Sequence, residues 1–151
     1  MPPAKTLITY IKKLKSGTTT PEYQTKKSVG FDLAAGKTVT IQPWQKKFVE
    51  TELVIKPPRN HWIMITPRSS LFGRTGCIIP NSPGVIDEDY TGPQDEVYVL
   101  LYNVTNEPCT INKGERIAQA IVMQRVKTEI VEDPKEFKND ETRGGFGSTG
   151  A

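Results

Sequence analysis

Short runs of β-branched and aromatic residues, each cut off by Pro, Gly or Asn, recur along most of this chain, and they leave little room for anything but an all-β fold. Thr38–Ile41 alternates and stops at Gln42-Pro43. Phe48–Ile55 reads as one strand ending at Pro57-Pro58, and His61–Thr66 as another ending at Pro67. Val97–Tyr102 is a third apolar run. Ile117–Met123 follows a Lys113-Gly114 turn, and Val126–Val131 alternates once more. The 12 prolines exclude long helices. One short helix or turn is expected after Arg68-Ser69-Ser70-Leu71. Evenly spaced short strands imply a sandwich, a jelly roll or a distorted barrel. The length of 151 residues suits a single domain. Residues 1–139 are read as that domain and 140–151, charged and then Gly-rich, as a flexible tail.

Charge and cysteine content narrow the function classes. A net charge of +3 is weakly basic, and Lys12-Lys13-Leu14-Lys15 and Lys26-Lys27 read as solvated surface, so no nucleic-acid partner is expected. Cys77 and Cys109 form neither a CxxC zinc spacing nor a disulfide framework; they read as reduced thiols in a cytoplasmic protein. No apolar run reaches the ~20 residues of a membrane span. His61, the one histidine, cannot build a His-rich metal site, and it reads as structural or exposed. Trp44 and Trp62 read as packing residues.

Five segments could carry chemistry, and each has a plainer reading beside it. In Gly84-Val85-Ile86-Asp87-Glu88-Asp89-Tyr90-Thr91-Gly92 a carboxylate on rigid backbone could orient water as a general base; alternatively it is a polar surface turn. Pro67-Arg68-Ser69-Ser70-Leu71 offers a guanidinium fork, two hydroxyls and backbone N–H groups, a natural phosphate clamp; alternatively Ser70 caps a short helix. In Arg143-Gly144-Gly145-Phe146-Gly147-Ser148-Thr149-Gly150 the glycines permit close approach to phosphates and Phe146 could stack on a base; alternatively it is a linker. It lacks the Lys and following helix of a P-loop. Lys113–Gln119 is a turn entering a strand, with Arg116 and Gln119 able to face a ligand. In Gly30-Phe31-Asp32-Leu33 the acid is flanked by apolar residues, usually a surface position on an alternating strand.

Taken in order, these segments resemble the motifs of the trimeric dUTPase family. GFDLAAG resembles the first, PRSSL the second, GVIDEDYTG the third, GERIAQ the fourth and RGGFGSTG the fifth. The resemblance runs from Pro21-Glu22-Tyr23 to the C-terminus. It implies a jelly-roll-like, distorted β-barrel subunit and a homotrimer. Its active sites lie between subunits, each closed by the exchanged C-terminal tail of a neighbour. It implies hydrolysis of dUTP to dUMP and pyrophosphate with Mg²⁺ as cofactor. Asp87 would activate the attacking water. No residue would ligate the metal directly, and Asp32 would reach it through water. Arg68, Ser69, Ser70 and Gln119 would hold phosphates, joined from the tail by Arg143, Gly147, Ser148 and Thr149. A hairpin from Asn81 to Tyr98 would choose the base through backbone groups of Gly84, Val85, Ile86 and Tyr98 and the Asn81 amide. Tyr90 would pack on the sugar and Phe146 stack on uracil.

Two departures stand out. The family's usual fifth motif, RGxGGFGSTG, sets its Arg further ahead of the Phe; here Arg143 stands closer to Phe146 and Glu141 takes the longer motif's Arg position. The stretch Gly92-Pro93-Gln94-Asp95-Glu96-Val97 is longer than in many relatives. The sister family of dCTP deaminases wants a Glu and an Arg at places held here by Leu100 and Gly73, which argues against deamination. A non-catalytic nucleotide sensor is the other rival, and the intact Asp87, Arg68 and Tyr90 argue against it.

Overall fold

The computed structural model describes residues 6–132 together with Lys135, Thr142 and Gly144. Its strands are β1 (Tyr10–Lys13), β2 (Gly30–Ala34), β3 (Val39–Ile41), β4 (Lys46–Glu50), β5 (Leu53–Lys56), β6 (His61–Pro67), β7 (Cys77–Ile78), β8 (Gly84–Ile86), β9 (Tyr98–Asn103), β10 (Cys109–Ile111) and β11 (Arg116–Gln124). The single helix among the described residues, α1 (Leu71–Thr75), sits between β6 and β7.

Every described pairing is antiparallel. A four-stranded sheet runs β2-β11-β6-β8 and a three-stranded one β4-β9-β7; β1 pairs with β5 and β10 with β3. Period-2 side-chain alternation turns one face of these strands inward. Leu33, Ile41, Ile55, Ile63, Leu101, Ile111 and Ile117 are among the residues that fill one core. The result is the expected all-β, jelly-roll-like distorted barrel. None of the described helices is long and apolar enough to cross a membrane. Both cysteines are free thiols in the core, where burial and then the neighbouring Cys77 push the Cys109 thiol up to about 12.

Several sequence expectations need correction. Phe48–Ile55 is two strands, because Glu52 adopts φ +58 and kinks the chain between β4 and β5. Glu52 is buried at 3% exposure. The Thr18 hydroxyl at 2.9 Å and Lys15 Nζ at 3.1 Å satisfy its carboxylate, and the Leu14 N–H binds its carbonyl at 2.9 Å. This polar anchor fastens the N-terminal segment and stops the strand in mid-run. Val126–Val131 forms no strand: Val126, Ile130 and Val131 are exposed, with no described neighbour to supply a ladder. Trp44 is not a packing residue either. It lies at φ +58, 54% exposed, with its indole N–H on Asn106 Oδ1 at 2.9 Å. Trp62 is half-buried.

Candidate active site

The register of the four-stranded sheet assembles one half of the site. Alternation buries Phe31 and Leu33 and turns Asp32 to the opposite face. Gln119 on β11 stands opposite Asp32 on one side and Thr66 on the other. Thus the first, second and fourth segments meet at one end of the sheet. They line a depression of about 310 Å³ with Gln24, Ser28, Gly30, Asp32, Arg68, Ser69 and Gln119 on its walls.

Charge is ordered inside it. Arg68 Nε donates to Asp32 Oδ1 at 3.0 Å, and Arg116 Nη1 donates to Asp32 Oδ2 at 3.1 Å. Because Arg68 spends its Nε edge on Asp32, its terminal nitrogens stay available for an anion. Arg116 Nη1 also binds Gln24 Oε1. Arg74 fixes this turn from α1, donating to Glu115 Oε1 at 2.7 Å and to the Arg116 carbonyl at 2.8 Å. Ser70 is the residue ahead of α1, but its side chain makes no capping hydrogen bond, so the capping alternative does not account for its hydroxyl. Gly30 leaves room for Gln119: a Cβ there would lie 3.0 Å from Gln119 Oε1. Gln24, Ser28 and Arg74 are additions that sequence reasoning missed. Their signal was weak, since a polar loop ahead of β2 and an Arg in a short helix occur everywhere.

The other half lies elsewhere on the chain. Sequence reasoning expected a tight hairpin from Asn81 to Tyr98, and the structure corrects this. β8 pairs with β6 in the four-stranded sheet, whereas β9 pairs with β4 and β7 in the three-stranded one. No described ladder joins β8 to β9. Beyond Ile78, which pairs with Tyr102, the first half of β9 has an open edge, and β8 is itself an edge strand. The two edges line a small slot of about 70 Å³ with Asn81, Gly84, Val85, Ile86, Tyr98 and Leu100 around it. Beside it is a second depression of about 250 Å³, bounded by Val85, Ile86, Asp87, Tyr90, Glu96 and Tyr98.

Of the three carboxylates of the third segment, only Glu88 has a side-chain partner among the described residues, and only Asp87 lines the depression. Glu88 Oε2 accepts the Asn60 N–H at 3.0 Å and pairs with Arg125 at 3.6 Å. Asp87, exposed on the depression wall, has no side-chain hydrogen bond or ion pair among the described residues. Its carbonyl accepts the Tyr90 N–H at 3.2 Å, which fixes the turn and leaves the carboxylate free. The neighbouring Glu96 carboxylate holds the Tyr98 phenol above its ordinary value of 10.0. Arg143, Phe146, Gly147, Ser148 and Thr149 lie outside the described residues.

The separation between the halves decides how they can be used. Asp87 follows β8 at the level of Trp62, while Arg68 leaves β6 at the opposite end. At ~3.3 Å per strand residue this is a span of roughly 20 Å. Reacting atoms must approach to about 3–3.5 Å. Within one chain the free carboxylate and Arg68 thus stand at opposite ends of β6, far beyond that distance.

Comparison with known proteins identifies the family. The dUTPase family profile matches residues 17–150. The chain belongs to the dUTPase family. Its relatives include the deoxyuridine 5'-triphosphate nucleotidohydrolase of Nautilia profundicola, 42% identical over 140 residues that cover 93% of this chain and 96% of that one. The Hydrogenobaculum enzyme of the same name is 40% identical over 142 residues, 93% and 96% of the two chains. Among solved structures, a mutant dUTPase of Staphylococcus bacteriophage 80alpha with dUpNHpp superposes at TM-score 0.81. It is 24% identical, with 95% of this chain and 99% of that chain covered. A mutant dUTPase from phage phi11 of S. aureus, described with a structural Mg(II) ion, gives 0.74 at 20% identity, covering 85% and 99%. These two show the shared dUTPase fold.

Proposed function

We propose that this chain is a dUTP diphosphatase: it hydrolyses dUTP to dUMP and pyrophosphate by attack of water on the α-phosphorus. The observation that carries the reading is the slot between two unpaired strand edges, set beside an uncommitted carboxylate. Open edges present backbone N–H and C=O groups in a row. A flat pyrimidine between them can complete both edges as a strand would. Uracil offers acceptor, donor, acceptor along its edge. Cytosine reverses two of these and leaves buried groups unpaired, which is strongly rejected. The Asn81 amide supplies a further partner, and the narrow slot excludes the thymine methyl. Tyr90 packs on the sugar and leaves no space for a 2′-OH.

Asp87 accepts a hydrogen bond from the attacking water and takes its proton as the oxygen closes on phosphorus. Arg68, Ser69, Ser70 and Gln119 hold the phosphates in line, and Asp32 keeps Arg68 aimed. Since these groups stand roughly 20 Å from Asp87 on one chain, a working site combines Asp87 of one subunit with the clamp of another. That sharing requires an assembly of subunits, and membership of the dUTPase family supports a homotrimer, with residues 1–139 as the domain and 140–151 as a tail. Arg143, Phe146, Gly147, Ser148 and Thr149 of that tail close the site.

The donor set fits Mg²⁺ delivered on the substrate. Among the described residues no three acidic, thiol or imidazole groups converge, and both Asp32 oxygens already face guanidinium nitrogens. Mg²⁺ retains waters and binds through phosphates with few carboxylates, so Asp32 would meet it through a water. When bound, the ion neutralises phosphate charge and eases departure of pyrophosphate. The free, buried thiols of Cys77 and Cys109 suit a reducing cytoplasm.

A turnover assay with dUTP, dCTP, dTTP and UTP tests the reading. Pyrophosphate release from dUTP alone is expected, falling ~10²–10⁴-fold in Asp87→Asn. Equal turnover of dCTP, or an Asp87→Asn variant with wild-type rate, refutes it.

A further inference from the structure

Sequence reasoning gives no role to Glu96, which lies in the lengthened stretch after the third segment. In the structure that stretch is closed by its own side chain. Asp95 Oδ2 accepts the Gly92 N–H at 2.6 Å, and the Asp95 N–H returns to the Gly92 carbonyl at 3.2 Å. Lys12 of β1 donates to the Pro93 carbonyl at 3.2 Å. The folded loop delivers Glu96 to the wall of the depression that holds Asp87, Tyr90 and Tyr98.

Two bonds then radiate from one residue. Glu96 Oε1 accepts the Glu52 N–H at 2.7 Å. The Glu96 carbonyl accepts the Tyr90 hydroxyl at 3.1 Å. The Glu96 carboxylate also stands beside Tyr98 on the wall of the depression. The anchor at the far end is rigid: Glu52 is the buried, left-handed residue between β4 and β5, itself held by Thr18 and Lys15. The following residue is pinned as well. Val97 donates to the Leu53 carbonyl at 2.8 Å, and its own carbonyl accepts the Thr51 hydroxyl at 2.6 Å.

We infer that Glu96 is a positioning residue that braces Tyr90 and Tyr98, two walls of the nucleoside depression, against the β4–β5 kink and thereby sets sugar selectivity. The inference rests on the proposed function, because it takes this depression as the nucleoside pocket. Glu96 does not touch the reacting phosphate in that reading. Its loss therefore acts on ground-state fit and on the choice between deoxyribose and ribose. A carboxylate that served stability alone would lower the melting temperature and leave that choice untouched.

The test uses the full-length chain with Mg²⁺ and compares kcat and KM for dUTP and UTP. Glu96→Ala is expected to raise KM for dUTP about tenfold and to narrow the dUTP-over-UTP preference about tenfold, with kcat within about twofold. Glu96→Gln keeps an acceptor for the Glu52 amide and should recover most of both. Tyr90→Phe removes the hydroxyl that the Glu96 carbonyl accepts and leaves the Glu52 amide satisfied, so it serves even if Glu96→Ala fails to fold. It should shift the preference in the same direction. If wild type turns over dUTP but the preference is unchanged in Glu96→Ala and Tyr90→Phe, the inference is overturned and the proposed function stands. A fall in kcat at constant KM and preference also overturns it. If wild type does not turn over dUTP at all, the proposed function falls and takes this inference with it.

Discussion

Two inactive variants of this chain should make an active enzyme when mixed. Asp87→Asn lacks the base but keeps the clamp; Arg68→Ala lacks the clamp but keeps the base. The two positions stand at opposite ends of β6, roughly 20 Å apart at ~3.3 Å per residue. Under the proposed function a site is whole when Asp87 of one subunit meets Arg68 of its neighbour. In a closed ring formed by random exchange of equal amounts, an intact Asp87 next to an intact Arg68 occurs at about one site in four. The mixture should recover about a quarter of wild-type turnover per subunit, while each variant alone stays at background. The value is the same for any closed ring, so it tests composition of the site independently of subunit number. The assay is pyrophosphate release after co-refolding, with hybrid assemblies verified by native mass spectrometry of a mass-tagged variant. Verified hybrids with no recovery would show that base and clamp come from one chain, and the argument from register would be wrong.

Further expectations follow from single contacts. Asp32→Asn should lower kcat/KM about ten- to 150-fold, since a hydrogen bond to a charged group is worth about 1.5–3 kcal/mol and the more exposed Arg116 pair adds little. A double-mutant cycle with Arg68→Ala should show strong coupling, and additive losses would mean that Asp32 does not act through Arg68. Burial alone would raise the Glu52 carboxyl, but the Thr18 hydroxyl and Lys15 outweigh it and hold the group below its ordinary 4.5. Its contribution to stability is thus complete above pH 4.5 and drains away as pH falls through the lower folded value. Melting curves of wild type should drop more steeply in that acid range than those of Glu52→Gln; parallel curves count against the assignment. Removing residues 140–151 should leave the assembly intact by light scattering and abolish most turnover, whereas near-normal turnover would make the tail a linker.

What the sequence disclosed was mostly local. Alternation in Val97–Tyr102 and Ile117–Met123 marked β9 and β11 because period 2 is written into each residue. Asp32 could be read as facing away from the core for the same reason. The clamp was legible as a list of residue types, but its order was not, since the Asp32–Gln119–Thr66 row depends on register between distant strands. Glu52 lay hidden inside an apolar run. Only the partners Thr18 and Lys15, brought from far along the chain, make a buried carboxylate and a left-handed turn tolerable there. Val126–Val131 has strand composition and no strand, because a ladder needs a neighbour and none is described. The same dependence on partners hid Glu96, an ordinary acid in a loop until Glu52, Tyr90 and Tyr98 surround it.

The missing ladder between β8 and β9 also bears on mechanics. Two sheets that meet along an unlaced seam are held there by core packing and by the turn between the strands, so the seam is where the molecule opens most cheaply. Under the proposed function, a nucleoside base that bridges both edges acts as a removable rung. Substrate would then do more than fill a pocket: it would complete the wall of the barrel, and the stiffness of the fold on that side would rise and fall with each catalytic cycle.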